Sequence, residues 1–277
     1  MLDYFFEIVD STDLQYLRNM QVKELRGTAQ VGTEEGIVTY EANFVKITNS
    51  KEIVGYACIG TFDFYKGIIL EYFLVSKYRA DSADIIKQLI KRYKCKQWLV
   101  STHDFFAFPI MLDLQLKYKL SAYTFAIDDS IKIEYELGSE TTIEVSTFEE
   151  ATEIYQLIMQ DGFYTGGDIN SLFPIITANE MYSLKKNDRL IGAGFIGVSK
   201  RTPGYADIAM IIDKENRHNG YGVLIVKVLV AKCRLLNLIP TAVCDVTNLA
   251  SRKVLQKAGF HLDGCLLLAQ VDIFNTN

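Results

Sequence analysis

The sequence predicts a mixed α/β protein made of two tandem units of one design, each a sheet flanked by helices. Three observations carry this reading. Short runs of alternating apolar and polar residues, the mark of strands, are interleaved with longer runs at helical spacing. The order of these elements in the first half recurs in the second. Finally, 277 residues, 49% of them hydrophobic and 23% charged, suffice for two cores of ordinary size.

In the first half, FFEIVD reads as a strand and STDLQYLRNMQVKEL as a helix capped by Ser11 or Thr12. YEANFVKIT, EIVGYACIGTF and GIILEYFLVS read as three more strands. A helix (ADIIKQLIKRY), a strand (QWLVS), a helix near 105–117 containing Pro109 and a strand (SAYTFAI) complete it. The second half opens on the strand TTIEVST and a helix whose apolar face is Ala151, Ile154, Leu157 and Ile158. The loop FYTGGD and a short helix near 169–178 follow. MYSLKKND, LIGAGFIGVSK and YADIAMIID are strands, the last two joined by the turn RTPG. A helix from about 220 to 236, the strand IPTAVCD, the helix ASRKVLQKA stopped by Gly259 and a strand from 261 to about 274 close the chain. Sliding the halves past each other sets Val75 on Ile212 and Leu114–Gln115 on Leu255–Gln256. The expected boundary lies near Leu137–Glu140, dividing the chain into 1–137 and 138–277.

Composition narrows the function classes. A formal net charge of −5 gives no reason to expect nucleic acid and mildly favours a cationic small molecule. The start lacks the basic region and long apolar run of a secretory leader, and Lys227 breaks the greasiest segment, GVLIVKVLVAKC, which is too short to span a bilayer. A cytoplasmic protein without membrane partners is expected. The five cysteines, 58, 95, 233, 244 and 265, form no C-x-x-C and read as reduced core thiols. Three scattered histidines give a metal site no support.

Gly192, Gly194 and Gly197 satisfy G-x-G-x-x-G, a dinucleotide-binding pattern. That pattern needs a helix opening on the last glycine. Here Val198 continues a strand and Pro203–Gly204 make a turn, so the glycines are read as places where another surface approaches the strand. The context missing there is present at Arg217-His218-Asn219-Gly220-Tyr221-Gly222, between a strand and a long helix. The first amides of a helix lack internal partners and its dipole favours anions. Gly220 and Gly222 remove Cβ atoms from that approach, and Arg217 and His218 offer donors or charge. A diphosphate fits such a turn.

This stretch resembles the R/Q-x-x-G-x-G/A signature of the GNAT superfamily of N-acetyltransferases. VCDVTNLASRKVLQKAGF is similar to that family's N-x-x-A/S…G-F segment, through Asn248, Ser251 and Gly259–Phe260. The resemblance covers the element order of 141–275. It implies mixed, mostly antiparallel twisted sheets and acetyl-CoA as co-substrate, without metal. By it, the strand ending at Met210, Ile211 and Ile212 would pair with the pantetheine arm, as an added strand would. The amides of His218, Asn219, Gly220, Tyr221 and Gly222 would hold the pyrophosphate, and Asn248 and Ser251 would line the pantetheine side.

The resemblance also exposes departures. Where many members carry a tyrosine acid, seven residues after the asparagine, this chain has Leu255. A thiol with pKa near ~8.5 still leaves as thiolate, and Ser251 or water is left to supply a proton. An amine acceptor with pKa of about 10.4 must be deprotonated, which calls for a carboxylate. Asp207 and Asp245 are the candidates, against the alternative that each merely caps a strand end or pairs with a lysine. Asp161, Tyr164 and Asp168 are read as possible lining of an acceptor pocket. In the first half, VSKYRADSADII sets Ala80 in the arginine's place and Ala83 and Ile85 in those of the glycines. That half is expected to keep the fold without the cofactor, and to shape the acceptor site or stand in for a dimer partner. The function expected is acetyl transfer from acetyl-CoA to a small-molecule or peptide amine, by a monomer or homodimer. The alternative is an acyl-CoA-binding sensor without catalysis.

Overall fold

Alternation and helical spacing are realised locally along the chain. The computed structural model describes residues 3–25, 42–61, 65–160, 168–199 and 202–275. The strands are β1 (Phe5–Val9), β2 (Ala42–Thr48), β3 (Ile53–Gly60), β4 (Ile68–Leu74), β5 (Gln97–Ser101), β6 (Tyr118–Ala126), β7 (Thr141–Val145), β8 (Met181–Lys186), β9 (Arg189–Val198), β10 (Tyr205–Ile212), β11 (Ile239–Asp245) and β12 (His261–Gln270). The helices are α1 (Gln15–Glu24), α2 (Ser82–Tyr93), α3 (Ala107–Asp113), α4 (Ala151–Gln160), α5 (Leu172–Thr177), α6 (Tyr221–Leu235) and α7 (Leu249–Lys257). Among the described residues no helix is long and apolar enough to cross a membrane.

Two compact units result, Met1–Thr124 with Asp263–Asn277, and Phe125–Leu262. In the first, the strand order is β1-β2-β3-β4-β5-β12-β6, with the chain's last strand inserted beside β5. Leu266–Gln270 of β12 run antiparallel to Ser101–Gln97, and Leu267, Ala269 and Val271 enter the core with Ile69, Leu89 and Trp98. In the second, the order is β7-β8-β9-β10-β11. These limits differ from the expected division at 137/138 at both ends of the second half. Residues 127–134 dock on the second unit: Arg234 donates to the carbonyls of Ile131 (2.6 Å) and Asp128 (3.0 Å), and Lys227 to that of Glu134 (2.9 Å). The final strand, by contrast, completes the first sheet.

The pairings within each unit are mainly antiparallel, with a parallel pair between β4 and β5 in the first and between β10 and β11 in the second. One cap and one helix extent differ from the sequence expectation. Asp10, rather than Ser11 or Thr12, starts the first helical segment by accepting from the Thr12 amide at 2.9 Å. Asp104 Oδ1 accepts from the amides of Phe106 (3.0 Å) and Ala107 (2.8 Å) ahead of α3, and the helix expected near 105–117 spans only Ala107–Asp113. Four of the five cysteines are buried and none forms a disulfide among the described residues.

Candidate active site

The glycines of β9 are packing devices. A Cβ at Gly194 would stand 2.9 Å from Ile225 and Leu229 of α6, and one at Gly197 would stand 2.7 Å from the Phe195 ring. At Gly192 it would meet the Ile211 carbonyl at 2.8 Å. The bare strand lets α6 lie close against the sheet, which fixes the start of α6 relative to β10.

Beside β9 runs β10, and its bonding pattern decides what its other edge offers. Ser199 N–H donates to Tyr205 O (3.0 Å) and Asp213 N–H to Ile191 O (2.9 Å), so odd-numbered residues bond toward β9. Even-numbered residues turn the other way, as the bond from Ile239 N–H to Gly204 O (2.7 Å) shows. Pairing with β11 covers only Tyr205–Asp207 against Ile239–Thr241. Beyond that point the N–H and C=O of Met210 face no partner strand among the described residues. Sequence reading grouped Met210, Ile211 and Ile212 together; the structure separates them. Ile211 bonds toward β9, and its side chain packs with the cluster around Ile154 and Leu157 of α4.

Past β10 the chain makes a short 3-10 turn and reaches α6 through two left-handed residues, His218 (φ 66°) and Gly220 (φ 86°). No side chain caps α6 and its first turn carries no acidic residue, so the amides of Tyr221, Gly222 and Val223 lack acceptors within the helix. A Cβ at Gly220 would meet nothing within 4 Å, so the approach to these amides is open there. Gly222 does something else: a Cβ on it would stand 3.2 Å from Val254, and its absence lets α7 come close. His218 and Asn219 are exposed, and Asn219 Nδ2 donates to Asn216 O at 3.4 Å. Arg217 is turned back toward the strand, its Nε donating to Ile212 O at 3.0 Å.

The candidate carboxylates part company. Asp207 lies on the face of β10 shared with Ala209 and Ile211. Although the residue as a whole is half-buried, its Oδ1 is enclosed and has no hydrogen-bond partner among the described residues. Burial pushes its pKa up to about 7, against a smaller opposing pull from the Ile208 amide. Asp245 is exposed at the end of β11, where its Oδ1 accepts from the Thr247 amide (2.8 Å) and hydroxyl (2.5 Å) and shapes the turn into α7. Asn248 caps α7 through the Ser251 amide at 3.0 Å. That local bond ties both residues to the end of β11. Cys244, buried beside them, donates to Asn248 O at 3.3 Å, a contact that sequence gave no signal for. Asp168 is held by Asn170, whose amide donates to it at 2.9 Å, and Leu255 is a core side chain. Asp161 and Tyr164 fall outside the described residues.

The first unit contains the same corner with a different lining. Parallel pairing of β4 with β5 stops after Ile69–Trp98. Val75 N–H bonds back to Val54 O as Asp213 does to Ile191, and Arg79 Nε donates to Leu74 O at 3.0 Å as Arg217 does to Ile212. The equivalence therefore runs Val75–Asp213 and Arg79–Arg217, one residue from the expected match of Val75 with Ile212 and of Ala80 with the arginine. Ser82 and Asp84 then replace the two glycines. No residue from 76 to 84 has positive φ; a 3-10 segment runs straight into α2. Arg79 is engaged further, by Glu24 (2.5 Å) and by the rings of Phe106 (4.8 Å) and Phe73 (5.4 Å). Phe106 also stacks on Tyr72, ring centroids 5.6 Å apart.

Comparisons with known proteins bear on the family and the fold. Two family models, each described as an acetyltransferase (GNAT) domain, match residues 11–128 and 139–261. A GNAT-family acetyltransferase from Colwellia psychrerythraea superposes with a TM-score of 0.83 over 96% of this chain and 99% of its own, at 18% identity. A GCN5-related N-acetyltransferase from Sphaerobacter thermophilus gives 0.71 over 98% and 96%, at 10% identity. A tandem GNAT protein of the clavulanic acid biosynthesis pathway gives 0.65 over 98% of each chain, also at 10%. No curated protein matches the chain. With a free strand edge leading into an open helix N-terminus in one unit, a closed version of the same corner in the other, and a family model on each half, the chain belongs to the GNAT acetyltransferases, carrying two such domains in tandem.

Proposed function

We propose that the protein transfers the acetyl group of acetyl-CoA to an amine of a small molecule or peptide by direct attack, and that its second unit alone binds the co-substrate. The observation that carries this is the open approach at Gly220, directly following a strand whose edge is free at Met210. The amides from His218 to Gly222 hold the diphosphate, Met210 and Ile212 meet the pantetheine amides, and Asn248 and Ser251 lie on the side of β11. In the first unit the 3-10 segment, Asp84 and the rings around Arg79 leave no such cradle.

Asp207 is the base. Its buried carboxylate, with a pKa of about 7, is ionised just above neutrality and takes the proton of an ammonium acceptor. The freed amine then attacks the thioester carbonyl, the C–N bond forms and the C–S bond breaks. The departing thiolate needs no strong acid, and the Ser251 hydroxyl or water returns its proton. Asp245 serves the turn rather than the proton transfer.

The test is a melting-temperature shift with coenzyme A, joined to a thiol-release screen over diverse amines. The wild type is expected to shift and to release thiol with at least one amine, and Gly220→Trp to do neither. No shift in the wild type would overturn the reading. A shift with no release from any amine would favour an acyl-CoA-binding protein without catalysis.

A further inference from the structure

We propose that Arg217 is a positioning residue, tying the free end of β10 to the glycine turn through its Nε–H, and that its charge is not the counter-ion of the diphosphate. The proposal rests on the coenzyme A reading above and assigns one residue of that site a role by geometry. The nitrogen used is Nε, which reaches back five residues to Ile212 O at 3.0 Å. Ile212 is even-numbered, so this carbonyl lies on the strand edge that β11 leaves free. The bond occupies one lone pair of that carbonyl from within the protein, while the N–H and C=O of Met210 and the N–H of Ile212 are left for a ligand. It also fixes the end of that edge against the turn that begins at His218. A single extended ligand gripped at both places needs them held at constant separation.

The first unit supplies an internal control. Arg79 Nε makes the same five-residue return to Leu74 O, also at 3.0 Å, where Ser82 and Asp84 stand for the glycines and no left-handed turn exists. A bond repeated without an anion-binding turn belongs to the strand-to-helix corner itself. Chemistry makes the idea separable from charge. Glutamine carries its Nε2 as many bonds from the backbone as arginine carries Nε, so it can make the bond while neutral. Lysine keeps the charge but has a methylene where the donor should be.

The experiment uses the full chain with Arg217→Gln, Arg217→Lys and Arg217→Met, the last as a reference for loss of the donor. Coenzyme A affinity is measured by titration calorimetry at low and high salt, and amide hydrogen exchange over 208–222 is followed in ligand-free protein. One hydrogen bond of ordinary strength predicts Arg217→Gln within about threefold of wild type, and Arg217→Lys and Arg217→Met weaker by about tenfold. Exchange should quicken in the last two and not in the first. The reverse ranking, with Lys near wild type and Gln weak and less salt-dependent, makes Arg217 the counter-ion and overturns the proposal, as does wild-type behaviour in all three. Should the wild type bind no coenzyme A, the functional reading fails separately, and the exchange ranking still decides whether the tether exists.

Discussion

At the scale of single residues, Asp207 is where stability and chemistry oppose each other. Its carboxyl titrates near an ordinary 3.8 in the unfolded chain and at about 7 in the folded one. Between those values the folded protein holds a proton that the unfolded chain has lost, so stability falls as pH rises through the window, by at most about 4 kcal/mol. Asp207→Asn escapes that loss. Near pH 8 the variant should melt above wild type, and the two should converge near pH 4. Its kcat/KM should drop by about 10²–10⁴-fold, and the wild-type profile should rise with a midpoint near 7. A variant with undiminished turnover would remove Asp207 from the mechanism. Both carboxylates were visible in the sequence as candidates, Asp207 within a central strand and Asp245 at the end of the next. What separated them was enclosure, since one carboxylate has its Oδ1 enclosed with no hydrogen-bond partner among the described residues while the other is exposed and bonded to Thr247.

At the scale of elements, glycine spacing misleads and glycine context informs. The pattern at Gly192, Gly194 and Gly197 matches a nucleotide fingerprint by spacing, yet it lies wholly within β9. Gly194→Val would drive extra methyls into Ile225 and Leu229 and should cost about 1–3 kcal/mol, read as a lower denaturation midpoint at unchanged slope. An unaltered midpoint would mean that α6 does not rest on this strand. Around Gly220 the order of strand, turn and helix foretold an uncapped helix start, because exposed amides there follow from backbone geometry alone. Sequence reading assigned Gly222 to the same task as Gly220. Its contact with Val254 shows a packing role, and spacing has no access to a neighbour 32 positions away.

For the whole molecule, the last strand completes the first sheet. A chain ended after Leu262 would leave β5 without Leu266–Gln270 and the first core without Leu267, Ala269 and Val271. Burying side chains such as Leu267 and Val271 contributes about 1.5–3 kcal/mol each. Such a truncation should lower the melting temperature by more than about 10 °C and speed hydrogen exchange in Gln97–Ser101. Unchanged exchange there would show that β12 contributes little to the first unit.

Much was therefore written in the sequence itself: the kinds and order of the elements, their repetition, and the turn at 217–222. These depend on interactions within a few residues, namely period, capping and backbone freedom. Tertiary structure alone decided the register of the repeat, settled by two equivalent arginine bonds, and the destination of β12. It also decided which edge of β10 is free and which aspartate is enclosed. Those outcomes depend on which distant segments occupy the space beside a residue, and periodicity carries no record of that.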